Sequence, residues 1–142
     1  MTDSRLISFH VGDCDFAVPL SEIREIVAAV SVTPVPDGRL PLEGLMVYRG
    51  GQALPVFSLL GALGRDSESG GSLIVVSELG PAFVGFRVEG IGGVVDGVQG
   101  DRLDEYHGEL KGRAGAIEGT FESGDRSMIV LSLSAVFQEV VR

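Results

Sequence analysis

The chain has 142 residues, 44% apolar and 22% charged, enough for one ordinary domain with a real core and too apolar for a disordered segment. Its net charge of −9 lacks the basic footprint that nucleic acid or an anionic membrane surface requires of a partner. A single cysteine, Cys14, excludes an internal disulfide, and no apolar run approaches the ~20 residues of a membrane span.

The first residues, Met-Thr-Asp-Ser-Arg, lack the basic start and apolar block of a signal peptide, so the expected location is the cytoplasm. Twenty-one glycines among many Val, Ile, Leu and Phe predict short strands and frequent turns. Residues 5–11 read as a first strand, Gly12-Asp13 as a turn and 14–18 as the returning strand, ended by Pro19. Residues 21–30 fit two patterns. Ser21 could cap a helix bearing Ile23, Ile26, Val27 and Val30, or a turn could lead into a strand with Ile23 and Val27 on one face. Three prolines around Asp37-Gly38 make 31–43 a stiff, exposed loop.

Residues 44–63 read as strand, tight turn, strand and short helix. Arg49-Gly50-Gly51-Gln52 carries hairpin-turn chemistry, because glycine takes positive φ without a Cβ clash. Ser58 is placed to cap a helical turn holding Leu59, Leu60 and Leu63, closed by Gly64. Residues 64–72 carry no apolar side chain and form a linker near mid-chain. Strands follow at 73–77, 82–88 and 90–98; three interior glycines make the last a poor helix. Residues 99–114 are a polar loop, 116–121 and 127–131 a hairpin, and 133–141 an amphipathic helix.

The two halves resemble each other. Residues 16–27 lie over 84–95, with Ile23 on Ile91, Ile26 on Val94 and Val27 on Val95. Residues 54–63 lie over 128–137, where Val56, Ser58 and Leu59 recur as Val130, Ser132 and Leu133. The repeat decides for the turn-and-strand reading of 21–30. It predicts two similar subdomains, about 1–64 and 73–142, within one domain spanning 1–142. Each is expected to be a small closed barrel of about five short strands, and the two are expected to share an interface.

Motifs for catalysis are missing. His10 reads as a strand-face residue and His107 as a solvated loop residue, neither beside a nucleophile. Cys14 stands between Asp13 and Asp15, which raise a thiol pKa. The acidic cluster Asp96, Asp101, Asp104 and Glu105 lacks calcium-loop spacing, and the glycines at 85–93 do not form a dinucleotide fingerprint. The expectation is a non-enzyme without metal or cofactor. One charge pair stands out. Glu25 and Arg49 are either two unrelated surface charges or, with Glu25 on its strand facing Arg49 at the hairpin, an ion pair at a protein-binding surface, which would shape a binding face more than hold the fold.

Residues Phe16-Ala-Val-Pro-Leu, Ile23-Arg-Glu-Ile-Val, Val32-Thr-Pro-Val-Pro, Leu42 to Gly50, Leu54-Pro-Val-Phe-Ser-Leu, Ser72 to Val76, Val84 to Glu89 and Ile91 to Val95 stand in the order of a known pattern. The chain resembles CheW-like coupling domains from about Ser4 to Val141. The resemblance implies a mainly β fold of two packed five-stranded SH3-like barrels, with short helical turns and a C-terminal helix. It implies a non-enzymatic adaptor that couples the helical tips of chemoreceptors to the regulatory domain of a CheA-type histidine kinase, with assembly into a higher-order array possible. By resemblance, the receptor helix lies in an apolar groove between the subdomains, and apolar positions near the barrel ends meet the kinase. The partner-binding residues it implies are Ile23, Glu25, Val27, Gly44, Val47, Tyr48, Arg49, Gly50, Val88 and Val94. The chain departs from the family at Val47-Tyr48, where Asn-Leu is usual, at Phe57-Ser58 and at Glu89. These departures leave room for a twitching or gliding pathway in place of flagellar chemotaxis. A small-ligand-binding β-barrel and a self-assembling module are the alternatives of other classes.

Overall fold

The structure is a computed structural model that describes residues 5–35, 41–65, 71–96, 103–108, 110 and 116–140. Its strands are β1 (Leu6–Val11), β2 (Cys14–Pro19), β3 (Glu25–Ala28), β4 (Leu42–Tyr48) and β5 (Gln52–Ser58), then β6 (Leu73–Leu79), β7 (Ala82–Val88), β8 (Gly90–Val95), β9 (Ile117–Ser123) and β10 (Arg126–Leu131). Helix α1 (Leu59–Ala62) follows β5, and α2 (Leu133–Val140) follows β10. Short 3-10 turns occupy Leu20–Glu22 and Arg49–Gly51. The elements therefore fall where the apolar periodicity and turn residues place them, including the turn-and-strand form of 21–30. Parts of the expected proline loop, linker and polar loop, and the last residue of the expected C-terminal helix, lie outside the described residues.

The partition into halves needs correction. The first five-stranded sheet has the order β3-β6-β7-β5-β4, and the second β8-β1-β2-β10-β9. Matching β1–β5 to β6–β10 turns one order into the other, so the repeat is real. The two copies, however, have exchanged their first hairpins. β1–β2 completes the sheet of β8–β10, and β6–β7 completes the sheet of β3–β5. Neither 1–64 nor 73–142 contains a whole sheet. The exchange is possible because β2 pairs in parallel with β10, and β7 in parallel with β5, at the same place in each sheet.

Both faces of the central strands are buried, which explains their near-continuous apolar runs. Along β6, Ile74 and Val76 face a small cluster inside the first sheet with Met46, Tyr48, Leu54 and Val56, while Val75 faces the large core between the sheets. That large core joins Phe9 and Phe16 of one sheet to Phe57 and Phe86 of the other. A third cluster, Leu6, Ala17, Met128 and Val130, fills the equivalent interior of the second sheet.

Each sheet curls until its edges meet. The chain leaving β3 bridges to β4 through Thr33 and Leu45, and the chain leaving β8 bridges to β9 through Asp104 and Thr120. A bulge precedes each bridge, at Glu43 in β4 and at Glu118 in β9, and a glycine follows it. A Cβ on Gly44 would lie 2.3 Å from the Thr33 carbonyl oxygen, and one on Gly119 would lie 2.6 Å from that of Asp104.

Helix starts repeat as well. Ser58 Oγ accepts from Gly61 N–H, the capping role expected of Ser58, and Ser132 Oγ accepts from Ala135 N–H in the same way. Helix α2 receives a second cap from elsewhere. The Glu22 carboxylate accepts from Leu133 N–H at 2.9 Å, while the Glu22 carbonyl accepts from Ser77 in β6. Glu22 thus fastens the end of one sheet to a strand of the other. A carboxylate also suits the positive end of a helix.

Candidate partner-binding site

β3 and β4 are opposite edges of their sheet, and its curl brings Glu25 of β3 against the end of β4. The Glu25 carboxylate is shared. Oε2 accepts from Arg49 Nη2 at 2.9 Å, and Oε1 accepts from the Tyr48 hydroxyl. Tyr48 is only 8% exposed, and its ring packs on Phe83 at 5.7 Å between centroids. Phe83 in turn carries the Arg24 guanidinium over its ring at 5.2 Å, and Arg24 is paired with Glu78 at 3.1 Å. The result is a braced row from Glu78 to Arg49 across the sheet's open edge.

The electrostatics follow the geometry. The Tyr48 hydrogen bond, then Arg49, holds the Glu25 carboxyl below its usual range against the opposing effect of burial. Burial first, then the bond to Glu25, pushes the Tyr48 hydroxyl up, so it remains a donor at neutral pH. Both partners therefore keep the protonation states the bond needs. At Cys14, burial raises the thiol and the neighbouring Asp13 adds to it, so this cysteine has the character of an unreactive one.

The outer side of the same hairpin is apolar. Val47 is 77% exposed and pairs across the strands with Ala53; Leu45, also exposed, pairs with Pro55. The turn itself carries Arg49 as its one side chain, since Gly50 and Gly51 follow with φ of 67° and 79°.

The ten expected contact residues do not form one patch. Glu25, Tyr48, Arg49 and Gly50 meet at the hairpin tip, and Val47 adjoins them. Ile23 and Val27 are half-buried, the first against the large core and the second against the first sheet's interior. Val94 is 55% exposed on β8, the edge of the other sheet. Val88 is fully buried in the core between the sheets, so it is not a surface contact in this structure. Its strand is covered on both faces, and alternation there gives no outward side. Gly44 is also buried, and its missing side chain admits the Thr33 backbone. Its counterpart Gly119 does the same in the second sheet, which makes this glycine a requirement of the curl. Gly44→Ala is expected to lower stability by about 1–3 kcal/mol, because the two nearest obstacles are backbone atoms of Thr33, with Val32 Cγ1 behind them at 3.0 Å. Thermal unfolding checks this, and an unchanged midpoint would contradict the packing role.

Sequence reasoning missed Phe83, Arg24 and Glu78. The signal was present in the repeat, where Phe83 and Glu78 stand opposite Asp15 and His10, pairs of quite different character. Side chains fill both sheet interiors, which weighs against a ligand-binding barrel. A cleft of about 160 Å³ beside Ser8, His10, Asp15 and Arg126 falls below the ~300–1,000 Å³ usual for small-molecule sites. A wider open groove of about 490 Å³ runs between α2 and the β6–β7 turn, past Glu22, Glu78, Leu79 and Phe137. Among the described residues no three His, Cys, Asp or Glu side chains converge as a metal site, and no helix is long and apolar enough to cross a membrane.

A family model described as the CheW-like domain matches residues 5–141. The chain belongs to the CheW-like family. The probable chemotaxis protein CheW of Rhizobium etli is 27% identical over 95 residues, which span 66% of this chain and 61% of that protein. The crystal structure of the scaffolding protein TtCheW from Thermoanaerobacter tengcongensis superposes with a TM-score of 0.78 at 20% identity, covering 96% of this chain and 89% of that one. The likeness establishes the CheW-like fold, mainly β and built on two five-stranded sheets. Within this CheW-like domain, Glu25 and Arg49 form the ion pair, one of the two readings the sequence leaves open, and Tyr48 joins them as a third member.

Proposed function

We propose that the chain is a cytoplasmic, non-enzymatic adaptor of a bacterial chemosensory system. It couples the helical tips of chemoreceptors to the regulatory domain of a CheA-type histidine kinase. The observation that carries this reading is the CheW-like match over residues 5–141. The site geometry supports it. An exposed cation is anchored beside exposed Val47 and Leu45, on a hairpin tip otherwise made of glycine. The open groove beside α2 is lined by Glu78, which pairs with Arg24, the chain neighbour of Glu25, and it offers a course for a receptor helix. Arg49 with Val47 forms the contact end of that surface, with Tyr48 buried behind them, and Val94 belongs to a separate contact on the other sheet.

Reversal of the charge tests this. Arg49→Glu is expected to weaken coupling of receptor to kinase at least tenfold, since it places two carboxylates together and removes the cation a partner meets. Exposed ion pairs contribute little to folding, so the unfolding midpoint should move by only about 2 °C. Receptor-dependent kinase activity in reconstituted membranes reads the coupling. A variant that couples as well as the wild type removes Arg49 from the site.

A further inference from the structure

We infer that Tyr48 is a positioning residue, whose hydroxyl fixes Glu25 so that Arg49 is presented to a carboxylate of the partner. The inference rests on the adaptor reading for the partner's identity, but the positioning itself stands on the geometry. Arg49 is 66% exposed, and the two glycines after it have nothing within 4 Å of where a Cβ would stand. Packing at the tip therefore does not hold Arg49. Its anchor is Glu25, a partly buried carboxylate on an edge strand whose other oxygen Arg49 leaves without a partner. Tyr48 supplies that partner. Its ring is clamped in the first sheet's interior against Phe83, and its hydroxyl occupies the second carboxylate oxygen. Order is thus passed from a packed ring, through a carboxylate, to an exposed guanidinium.

The second sheet provides an internal control. Strand register puts Gly93 where Glu25 stands and Ser123 where Tyr48 stands, and β9–β10 turns through two residues in place of three. That sheet curls and its edges bridge with neither a glutamate nor a tyrosine at these two positions. The fold does not require the Tyr48–Glu25–Arg49 row, so a role at the surface is left to it.

The chemistry of the partner group follows. A guanidinium has five N–H donors, and the bond to Glu25 leaves others directed away from it. A carboxylate accepts two such donors at once. Exposed Val47, two residues before Arg49, favours a carboxylate flanked by an apolar side chain. Presenting Arg49 already ordered lowers the loss of side-chain freedom on binding.

The test uses the full chain as wild type, Tyr48→Phe, Arg49→Ala and the double variant. The probes are a receptor-tip fragment and the kinase regulatory domain from the same organism. Tyr48→Phe keeps the ring and loses only the hydroxyl. It should weaken binding of whichever probe Arg49→Ala weakens, by about three- to tenfold, and should cost nothing further when Arg49 is already Ala. The Arg49 Nε–H resonance, sharp and ordered in the wild type, should become mobile in Tyr48→Phe without any partner present. Glu25→Gln should loosen the same resonance. Wild-type affinity in Tyr48→Phe, or an equal loss in the Arg49→Ala background, overturns the inference. An Arg49 resonance as ordered in Tyr48→Phe as in the wild type also overturns it. A wild-type chain that binds neither probe overturns the adaptor reading instead, and the resonance still decides whether Tyr48 positions Arg49.

Discussion

Cut between Glu68 and Ser69, the chain is expected to give two fragments that are each unfolded alone and fold together when mixed. The reason is the exchange of hairpins. In the first fragment β1 and β2 lack the β8, β9 and β10 with which they form a sheet, and β3 and β5 lack β6 and β7. An isolated two-stranded hairpin is marginal in water. The large core is divided as well, since Phe9, Phe16 and Phe57 lie on one side of the cut and Phe86, Leu131 and Leu133 on the other. The expected loss of native β signal for each fragment is essentially complete. Far-ultraviolet circular dichroism and amide exchange of each fragment, then of the equimolar mixture, check it. Cooperative unfolding by either fragment alone would contradict the observed strand order.

Phe86→Ala should be among the most damaging single substitutions. Phe86 is fully buried at the centre of β7, opposite Val75 on one neighbouring strand and Phe57 on the other, and its ring meets that of Phe57 at 6.0 Å. Removing a buried phenylalanine ring costs about 3–5 kcal/mol through lost transfer energy and the cavity left behind. Domains of this size have only about 5–15 kcal/mol of stability to lose. Urea unfolding should show the midpoint falling by a third or more with the slope unchanged. A loss below about 1 kcal/mol would mean that the site collapses around the gap, against its position between two rigid sheets.

What could be read from the sequence was local. Ser58 and Ser132 announce helix starts by residue type, and Arg49-Gly50-Gly51 announces a turn. Alternation locates the strands, and the repeat locates their counterparts. Strand partnership is not local. A hairpin such as β1–β2 carries the same apolar pattern whether it pairs within its own half or with the other, so the expected halves were drawn at the linker while the sheets cross it. The same limit explains the site. Glu25 and Arg49 could be matched by charge, but the third member depends on how far the sheet curls, which decides whether the Tyr48 hydroxyl reaches an edge strand. The resemblance implies a contact at Val88, and a strand buried on both faces shows no polar side that would tell otherwise. The resemblance implies a contact at Gly44 as well, and no pattern in the sequence reports the approach of Thr33.

The adaptor role is tested most directly by asking whether one chain holds two partners at once. Sedimentation velocity with the wild-type chain, the regulatory domain of a CheA-type kinase and a receptor-tip fragment from the same organism answers this. An adaptor gives a complex containing all three, larger than either pair, because Arg49 and Val94 lie on different sheets and can serve separate contacts. Competition between the two partners for the chain, or binding to neither, would contradict it.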